Sequence, residues 1–182
     1  MLLIYQKFIQ LKLAILRKMN SKKMMHNSKD IKLVATDIDG VWTNSCMYYT
    51  SDGEVMKAFS TYDGMAVELL RNIGIPTIIM TSENSEIVIK RAEKLLIDDV
   101  YIGEKEKLPR LRRICDAKNV SLDEVAYIGD DLNDLDVLKS VGISAIPINS
   151  PIKDKFIPDF ITSRKGGEGA FREFVDELIK CR

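Results

Sequence analysis

Short apolar segments that alternate with amphipathic ones constrain the fold of this chain more than any other feature. Five runs are apolar and rich in β-branched residues at nearly every position: 31–37, 75–80, 99–102, 125–129 and 142–146. Such continuous hydrophobicity is typical of strands that are buried on both faces of a parallel sheet. Helix-like segments separate these runs, at 64–73, 84–96, 105–118, 132–140 and 168–180. The alternation predicts an α/β fold in which helices flank a mostly parallel sheet.

The segment between the first strand and the first helix predicts a β-hairpin. It reads "CMYYTSDGEVMKAFS", with Ser-Asp-Gly between two strand-prone arms, and such polar and glycine residues favour a tight turn. Asp63 is the predicted N-cap of the first helix, and Asn84 or Ser85 that of the second.

Charge is distributed unevenly between a basic leader and an acidic body. Residues 1–30 contain seven Lys or Arg and one Asp, about +6, which leaves 20 basic and 26 acidic groups in residues 31–182. Lys7 and Lys12 interrupt the leader's apolar run, which argues against a transmembrane span. A helix lying on an anionic membrane is one interpretation. We prefer a basic extension or a misassigned start, with one domain at 31–182, because three methionines are alternative starts: Met19, Met24 and Met25.

Composition excludes several classes of function. An acidic body argues against nucleic acid as a partner, because phosphate backbones need a basic footprint. Cys46, Cys115 and Cys181 are far apart and form neither a metal pattern nor a disulfide framework, so we expect a reducing cytoplasm. The single histidine, His26, lies in the leader, which argues against a mechanism built on a catalytic histidine.

Polar residues follow the predicted strands at their carboxyl ends, where ligands bind in open α/β sheets. Each residue alone has an ordinary structural explanation, such as a turn, a helix cap or a solvated lysine. Their common placement favours a site, and several acids beside one lysine predict Mg²⁺, which prefers oxygen ligands. In chain order the residues are Asp37, Asp39, Thr81, Ser82, Lys107, Asp130, Asp131 and Asp134.

These residues resemble the four motifs of the haloacid dehalogenase-like phosphatase superfamily, whose fold is Rossmann-like. The motifs are "DIDGVWT" (37–43), "MTS" (80–82), Lys107 and "GDDLND" (129–134). The resemblance implies that Asp37 is the nucleophile that becomes an aspartyl-phosphate and that Asp39 is the general acid and base.

The same resemblance assigns the remaining motif residues. It implies that Asp37, the backbone carbonyl of Asp39, and Asp130 hold Mg²⁺. Thr81 and Lys107 are expected to bind the phosphoryl oxygens. Two further acids are expected to orient Lys107 or a water on the metal: Asp131 and Asp134.

Motif spacing leaves no room for the cap domain that many relatives insert. The 41 residues between Asp39 and Thr81 and the 25 between Thr81 and Lys107 are filled by predicted elements. This resembles the lidless subgroup of 3-deoxy-octulosonate 8-phosphate phosphatases, which implies a homotetramer built by the hairpin. The tail "RKGGEGAFREFVDEL" matches that subgroup, with Arg172 expected to contact a neighbour's site.

Departures from that subgroup concern the residues expected to contact a phosphorylated sugar acid. Tyr62 replaces a basic residue and Glu83 replaces an arginine, while Arg91 remains for the substrate carboxylate. Losing two cations and gaining an acid favours a nine-carbon, sialic-acid-like nonulosonate 9-phosphate. The expected substrate-binding residues, besides Lys107 and Arg172, are Ser60, Thr61, Asp63, Gly64, Ser82, Glu83 and Arg91.

Besides a general phosphatase of small phosphoesters, whose natural substrate is not a sugar acid, two other functions stay open. One is 3-deoxy-D-manno-octulosonate (KDO) 8-phosphate phosphatase of lipopolysaccharide synthesis. The other is a non-enzymatic oligomerisation module associated with an acylneuraminate cytidylyltransferase. A module of that kind would usually have lost a motif, and the chain retains all four.

Overall fold

A computed structural model of the chain describes Met24 and residues 26–182, and it contains two sheets. A hairpin of β2 (Tyr48–Thr50) and β3 (Gly53–Met56) forms the smaller, antiparallel one. The main sheet is parallel, and its strands are β1 (Leu33–Thr36), β4 (Thr77–Met80), β5 (Val100–Tyr101), β6 (Val125–Ile128), β7 (Ile143–Ile146) and β8 (Phe160–Ile161). This architecture confirms the predicted α/β fold and hairpin.

Strand order determines where the site lies. The order is β5-β4-β1-β6-β7-β8, so the chain builds outward from β1 through β4 and β5 and then crosses to the other side of β1. Thr36, at the end of β1, is in register with Ile79 of β4 and Ile128 of β6. The residues that follow these three strands therefore meet at the topological switch point, where such sheets bind ligands.

Five α-helices in the described part of the chain cover the two faces of the sheet: α1 (Thr61–Asn72), α2 (Glu86–Lys94), α3 (Lys107–Lys118), α4 (Leu135–Leu138) and α5 (Ala170–Lys180). Residues of α1, α2 and α5 pack on one face, and residues of α3 and α4 pack on the other. Alternate residues of β1 belong to opposite cores, since Val34 faces the first and Leu33 and Ala35 the second. Burial on both faces explains the continuous hydrophobicity of the strand sequences.

Three features of the helices and strands differ from the prediction: an N-cap residue, the type of one helix, and an additional strand. Asp63 is not the N-cap of α1: Ser60 is, and its Oγ accepts a hydrogen bond from the backbone N–H of Tyr62 at 3.2 Å. The helix predicted at 132–140 is a 3₁₀ turn, Leu132–Asp134, followed by the short α4. The sequence did not predict β8, because two residues are too short to show a periodicity.

Most of the predicted extension, residues 1–30, lies outside the described residues. Met24 is nevertheless buried in the first core. Ser28 donates a hydrogen bond to the carbonyl of Cys181 at 2.8 Å, and Asn27 donates to that of Gly142 at 3.2 Å. Packing onto the body therefore begins upstream of residue 31. Within the described part of the chain, no helix has the length and apolar character needed to span a membrane.

Candidate active site

Three buried carboxylates converge where β1 and β6 end. One oxygen from each of Asp37, Asp130 and Asp134 lies within 4.8 Å of the others. Neighbouring strands hold them together, since the backbone N–H of Asp37 donates to the carbonyl of Ile128 at 3.0 Å. Gly40 has a φ of +88°, and a Cβ there would lie 1.9 Å from Oδ2 of Asp130. Only glycine allows the loop after β1 to approach this closely.

Lys107 supplies the positive charge of this cluster. Its side chain is fully buried, and its Nζ lies 2.9 Å from Oδ1 of Asp37 and 2.7 Å from Oδ1 of Asp134. Burial lowers the pKa of the Lys107 ammonium, but the carboxylates of Asp37 and Asp134 outweigh burial and raise that pKa above its ordinary value. Lys107 is therefore a permanent cation beside the predicted nucleophile.

Hydrogen bonds within the protein occupy both oxygens of Asp134. Its Oδ1 accepts from Lys107 and, at 2.5 Å, from the hydroxyl of Tyr127. Its Oδ2 accepts from the backbone N–H groups of Asp130 at 2.9 Å and Asp131 at 3.2 Å. Asp134 thus fixes the loop after β6, and Asp37 and Asp130 are the carboxylates left to face a ligand.

The electrostatics of this pair fit a divalent cation. Burial, reinforced by the charge of Asp134, raises the pKa of Asp37 to about 7. Burial, reinforced by the charges of Asp37 and Asp134, raises the pKa of Asp130 to about 8. Both shifts come first from burial and then from neighbouring negative charge, which Lys107 opposes without cancelling the shift. A divalent cation between the two would offset it, and carboxylate oxygens are the ligands that Mg²⁺ prefers.

Asp39 is held at one oxygen only. Its Oδ1 accepts hydrogen bonds from Nζ of Lys57 at 2.7 Å and from Oγ1 of Thr43 at 3.2 Å. Its Oδ2 is shielded from solvent and has no hydrogen-bond partner among the described residues. The carboxylate therefore has one oxygen that Lys57 and Thr43 anchor and one without a hydrogen-bond partner among the described residues.

A cleft of about 190 Å³ opens over these groups. Two residues that line it were not predicted, Ser45 and Asn133, and Asn133 donates to Oγ of Ser82 at 2.9 Å. Lys107 lies beneath the cleft. The predicted residues that line the cleft are Asp37, Asp39, Thr81, Ser82, Glu83, Asp130 and Asp131.

Six of the residues predicted to bind substrate do not line this cleft: Ser60, Thr61, Asp63, Gly64, Arg91 and Arg172. The side chain of Arg91 packs between α1 and α2. Its Nη2 donates to the carbonyl of Ser60 at 3.3 Å, and its guanidinium lies 5.6 Å from the ring centroid of Phe59. A Cβ at Gly64 would lie 2.8 Å from that Nη2, so this glycine makes room for the arginine.

Asp63 and Arg172 contact each other rather than the cleft. Asp63 is fully buried, and its Oδ1 accepts from the backbone N–H of Arg172 at 2.9 Å, in the first turn of α5. Burial raises the pKa of Asp63 to about 6. The side chain of Arg172 donates instead to Asp176 at 2.7 Å. Within one chain these two residues join α1 to α5.

Lys57 is a buried site residue that sequence reasoning missed. Its side chain is completely buried, although it follows the exposed strand β3. A lysine beside a hairpin arm is ordinarily solvated, so no local pattern signals its contact with Asp39. That contact arises only when the hairpin folds back over the end of β1.

The family model of the haloacid dehalogenase-like hydrolases matches residues 48–142, more than half of the chain. The chain belongs to the haloacid dehalogenase-like hydrolase family. This membership confirms the resemblance inferred from the four motifs.

The similar proteins within this family include KDO 8-phosphate phosphatases. The KDO 8-phosphate phosphatase KdsC of Haemophilus influenzae is 32% identical over 159 residues, which cover 87% of this chain and 88% of that protein. A crystal structure of the KDO 8-phosphate phosphatase of Moraxella catarrhalis, in complex with magnesium, phosphate and KDO, superposes with a TM-score of 0.83 at 33% identity, covering 87% of this chain and 91% of that one. A crystal structure of the KDO 8-phosphate phosphatase of Yersinia pestis superposes with a TM-score of 0.83 at 30% identity. The match covers 87% of this chain and 86% of that one.

Proposed function

We propose that this chain is a Mg²⁺-dependent phosphatase that hydrolyses the phosphomonoester of a 2-keto-3-deoxy sugar acid. The observation that carries the proposal is the pair of buried carboxylates, Asp37 and Asp130, beside the buried ammonium of Lys107 at the switch point of the sheet. The alternative of a non-enzymatic assembly module has little support, because all four motifs meet at one cleft.

The chain's own residues suggest how the reaction proceeds. An oxygen of Asp37 attacks phosphorus, the bond from phosphorus to the sugar oxygen breaks, and Asp39 donates a proton to the departing alkoxide. Asp39 then takes a proton from water, which attacks the aspartyl-phosphate at phosphorus. Inorganic phosphate leaves, and the Asp37 carboxylate is regenerated.

Charge stabilisation in both steps comes from fixed groups. We expect Lys107 and Thr81 to bind the equatorial phosphoryl oxygens, on which negative charge lies in the transition state. When Mg²⁺ is bound by Asp37, Asp130 and the backbone carbonyl of Asp39, it supplies Lewis-acid stabilisation of the same oxygens. Asp134 maintains the position of Lys107, and Asp131 is placed at the rim of the cleft.

KDO 8-phosphate is the first candidate substrate. The relatives that match most of this chain are KDO 8-phosphate phosphatases, and they support this eight-carbon substrate better than the nine-carbon one that the sequence favoured. One observation keeps a nonulosonate 9-phosphate as the second candidate: Glu83 lines the cleft and is exposed there. A carboxylate at that position disfavours an anionic substrate group nearby and favours a hydroxyl or an amine.

A substrate panel tests the proposal. KDO 8-phosphate, a nonulosonate 9-phosphate and glucose 6-phosphate are compared with Mg²⁺ and with EDTA, using the wild type and Asp37→Asn. We expect a clear preference for one keto-deoxy acid, no turnover with EDTA and none by the variant. Equal slow rates on all three esters would overturn the sugar-acid assignment and leave the chemistry intact. Absence of turnover on every ester would favour the assembly module.

We also propose that the chain acts in the cytoplasm as a homotetramer assembled through the hairpin. The hairpin and its approach expose five large apolar side chains: Met47, Tyr48, Tyr49, Val55 and Met56. A two-stranded ribbon of this kind needs a partner surface to be stable. Assembly would also bring the C-terminal tail of a neighbour, with Arg172, to the open cleft. A monomer in light scattering would exclude that contact.

A further inference from the structure

We propose that Lys57 is a positioning residue for Asp39, and that Glu54 and Ser85 hold this lysine in place. The inference rests on the proposed phosphatase function and deepens it. Lys57 does not line the cleft, but it contacts Asp39, which does, so its action on the reaction passes through Asp39.

Lys57 is buried between two carboxylates. Its side chain has no solvent exposure, and its Nζ lies 2.7 Å from Oδ1 of Asp39 and 2.8 Å from Oε1 of Glu54. A buried ammonium is costly unless it is paired. Asp39 and Glu54 provide that pairing, and they fix the ammonium at one position.

Ser85 anchors the other end of this network. Its Oγ donates a 2.5 Å hydrogen bond to Oε2 of Glu54 and makes no cap bond to α2, although Ser85 is in the N-cap position. The network therefore joins the loop after β1, the hairpin and the start of α2. These three segments are far apart in sequence and meet at Lys57.

The network anchors one oxygen of the Asp39 carboxylate. Lys57 and Thr43 both donate to Oδ1, whereas Oδ2 has no hydrogen-bond partner among the described residues. With Oδ1 anchored, the carboxyl cannot rotate freely about its χ2 bond. Proton transfer to a leaving alkoxide requires such a fixed geometry.

Leaving-group chemistry distinguishes this role from simple support of the hairpin. The alkoxide of KDO 8-phosphate needs a proton as it departs, whereas p-nitrophenolate departs without one. The ratio kcat/KM reports only the steps up to the first irreversible one, formation of the phosphoenzyme. A variant that misplaces Asp39 should therefore lose kcat/KM on the alkyl ester and retain it on the aryl ester.

The experiment measures kcat/KM of Lys57→Met on KDO 8-phosphate and on p-nitrophenyl phosphate. We expect a loss of about 10- to 100-fold on the alkyl ester and of less than about threefold on the aryl ester. Lys90→Met removes an exposed lysine and should change neither value. In an Asp39→Asn background, Lys57→Met should cause no further loss on the alkyl ester, because the two residues act as one unit.

Glu54→Gln provides a second test that keeps Lys57 paired with Asp39. It should give a smaller loss with the same dependence on the leaving group, and it decides the question if Lys57→Met does not fold. Equal losses on the two esters, or a full additional loss in the Asp39→Asn background, would overturn the positioning role. Wild-type protein that hydrolyses neither ester would instead overturn the proposed function, so the two failures are distinguishable.

Discussion

Asp134 shows how one residue can organise a site without facing the cleft. It accepts from Lys107, Tyr127 and two backbone N–H groups, and it does not line the cleft. The sequence was sufficient to predict Asp134 as a site residue, because its motif "GDDLND" directly follows a predicted strand. Lys57 could not be placed in the same way, since its contact with Asp39 depends on how the hairpin folds over β1.

We predict that Asp130→Asn weakens Mg²⁺ binding. The substitution removes one of the two carboxylates proposed to bind the ion, so we expect at least a tenfold loss of affinity, about the size of known effects around metal sites. Titration calorimetry with Mg²⁺ alone measures it. Asp116→Asn, an exposed acid on α3, is the matched control. Unchanged affinity in Asp130→Asn would exclude this residue as a ligand.

Among the helices and strands, the contact between α1 and α5 through Asp63 differs most from the prediction. Asp63 was expected to cap its own helix, which is what local sequence suggests for an acid near a helix start. In the structure it lies inside α1 and accepts from the backbone of α5. Most strands and helices were predictable because their hydrophobic patterns lie within short, continuous segments of the sequence. A contact between residues 63 and 172 is not encoded locally.

Burial of Asp63, which the hydrogen bond from Arg172 only partly offsets, makes the stability depend on pH. The pKa of Asp63 is about 6 in the folded chain, against an ordinary value of 3.8 for an aspartate in water, so the folded state binds the proton more tightly. Charged Asp63 therefore disfavours folding above pH 6, and the penalty disappears as pH falls from about 6 to 4. The shift corresponds to about 3 kcal/mol at most.

Asp63→Asn should remove this dependence. The difference in free energy of unfolding between variant and wild type should be largest, in favour of the variant, at pH 7 to 8, and should shrink towards pH 4. Urea unfolding at several pH values measures this difference. Glu68→Gln, at an exposed position of the same helix, should show no such trend. A wild type that is more stable than Asp63→Asn at pH 8 would contradict the assignment.

At the scale of the whole molecule, topology places the chemistry. Strands after β1 are added first on one side of it and then on the other, so β1 marks the topological switch point of the sheet. The motif residues that follow β1, β4 and β6 meet there. The sequence was sufficient to predict this convergence and the lack of room for a cap domain. It was insufficient to place Ser60, Asp63, Gly64 and Arg91, because their positions depend on helix packing that spacing along the chain does not determine.

The proposed mechanism requires that Asp37 be phosphorylated during turnover. Hydrolysis of a phosphorothioate ester, made chiral at phosphorus with two oxygen isotopes, in water that carries the third isotope tests it directly. The thiophosphate released is itself chiral, and each in-line displacement inverts the configuration at phosphorus. Attack by Asp37 followed by attack by water comprises two displacements, so we predict net retention. Net inversion would mean that water attacks the substrate directly, and it would contradict a nucleophilic role for Asp37.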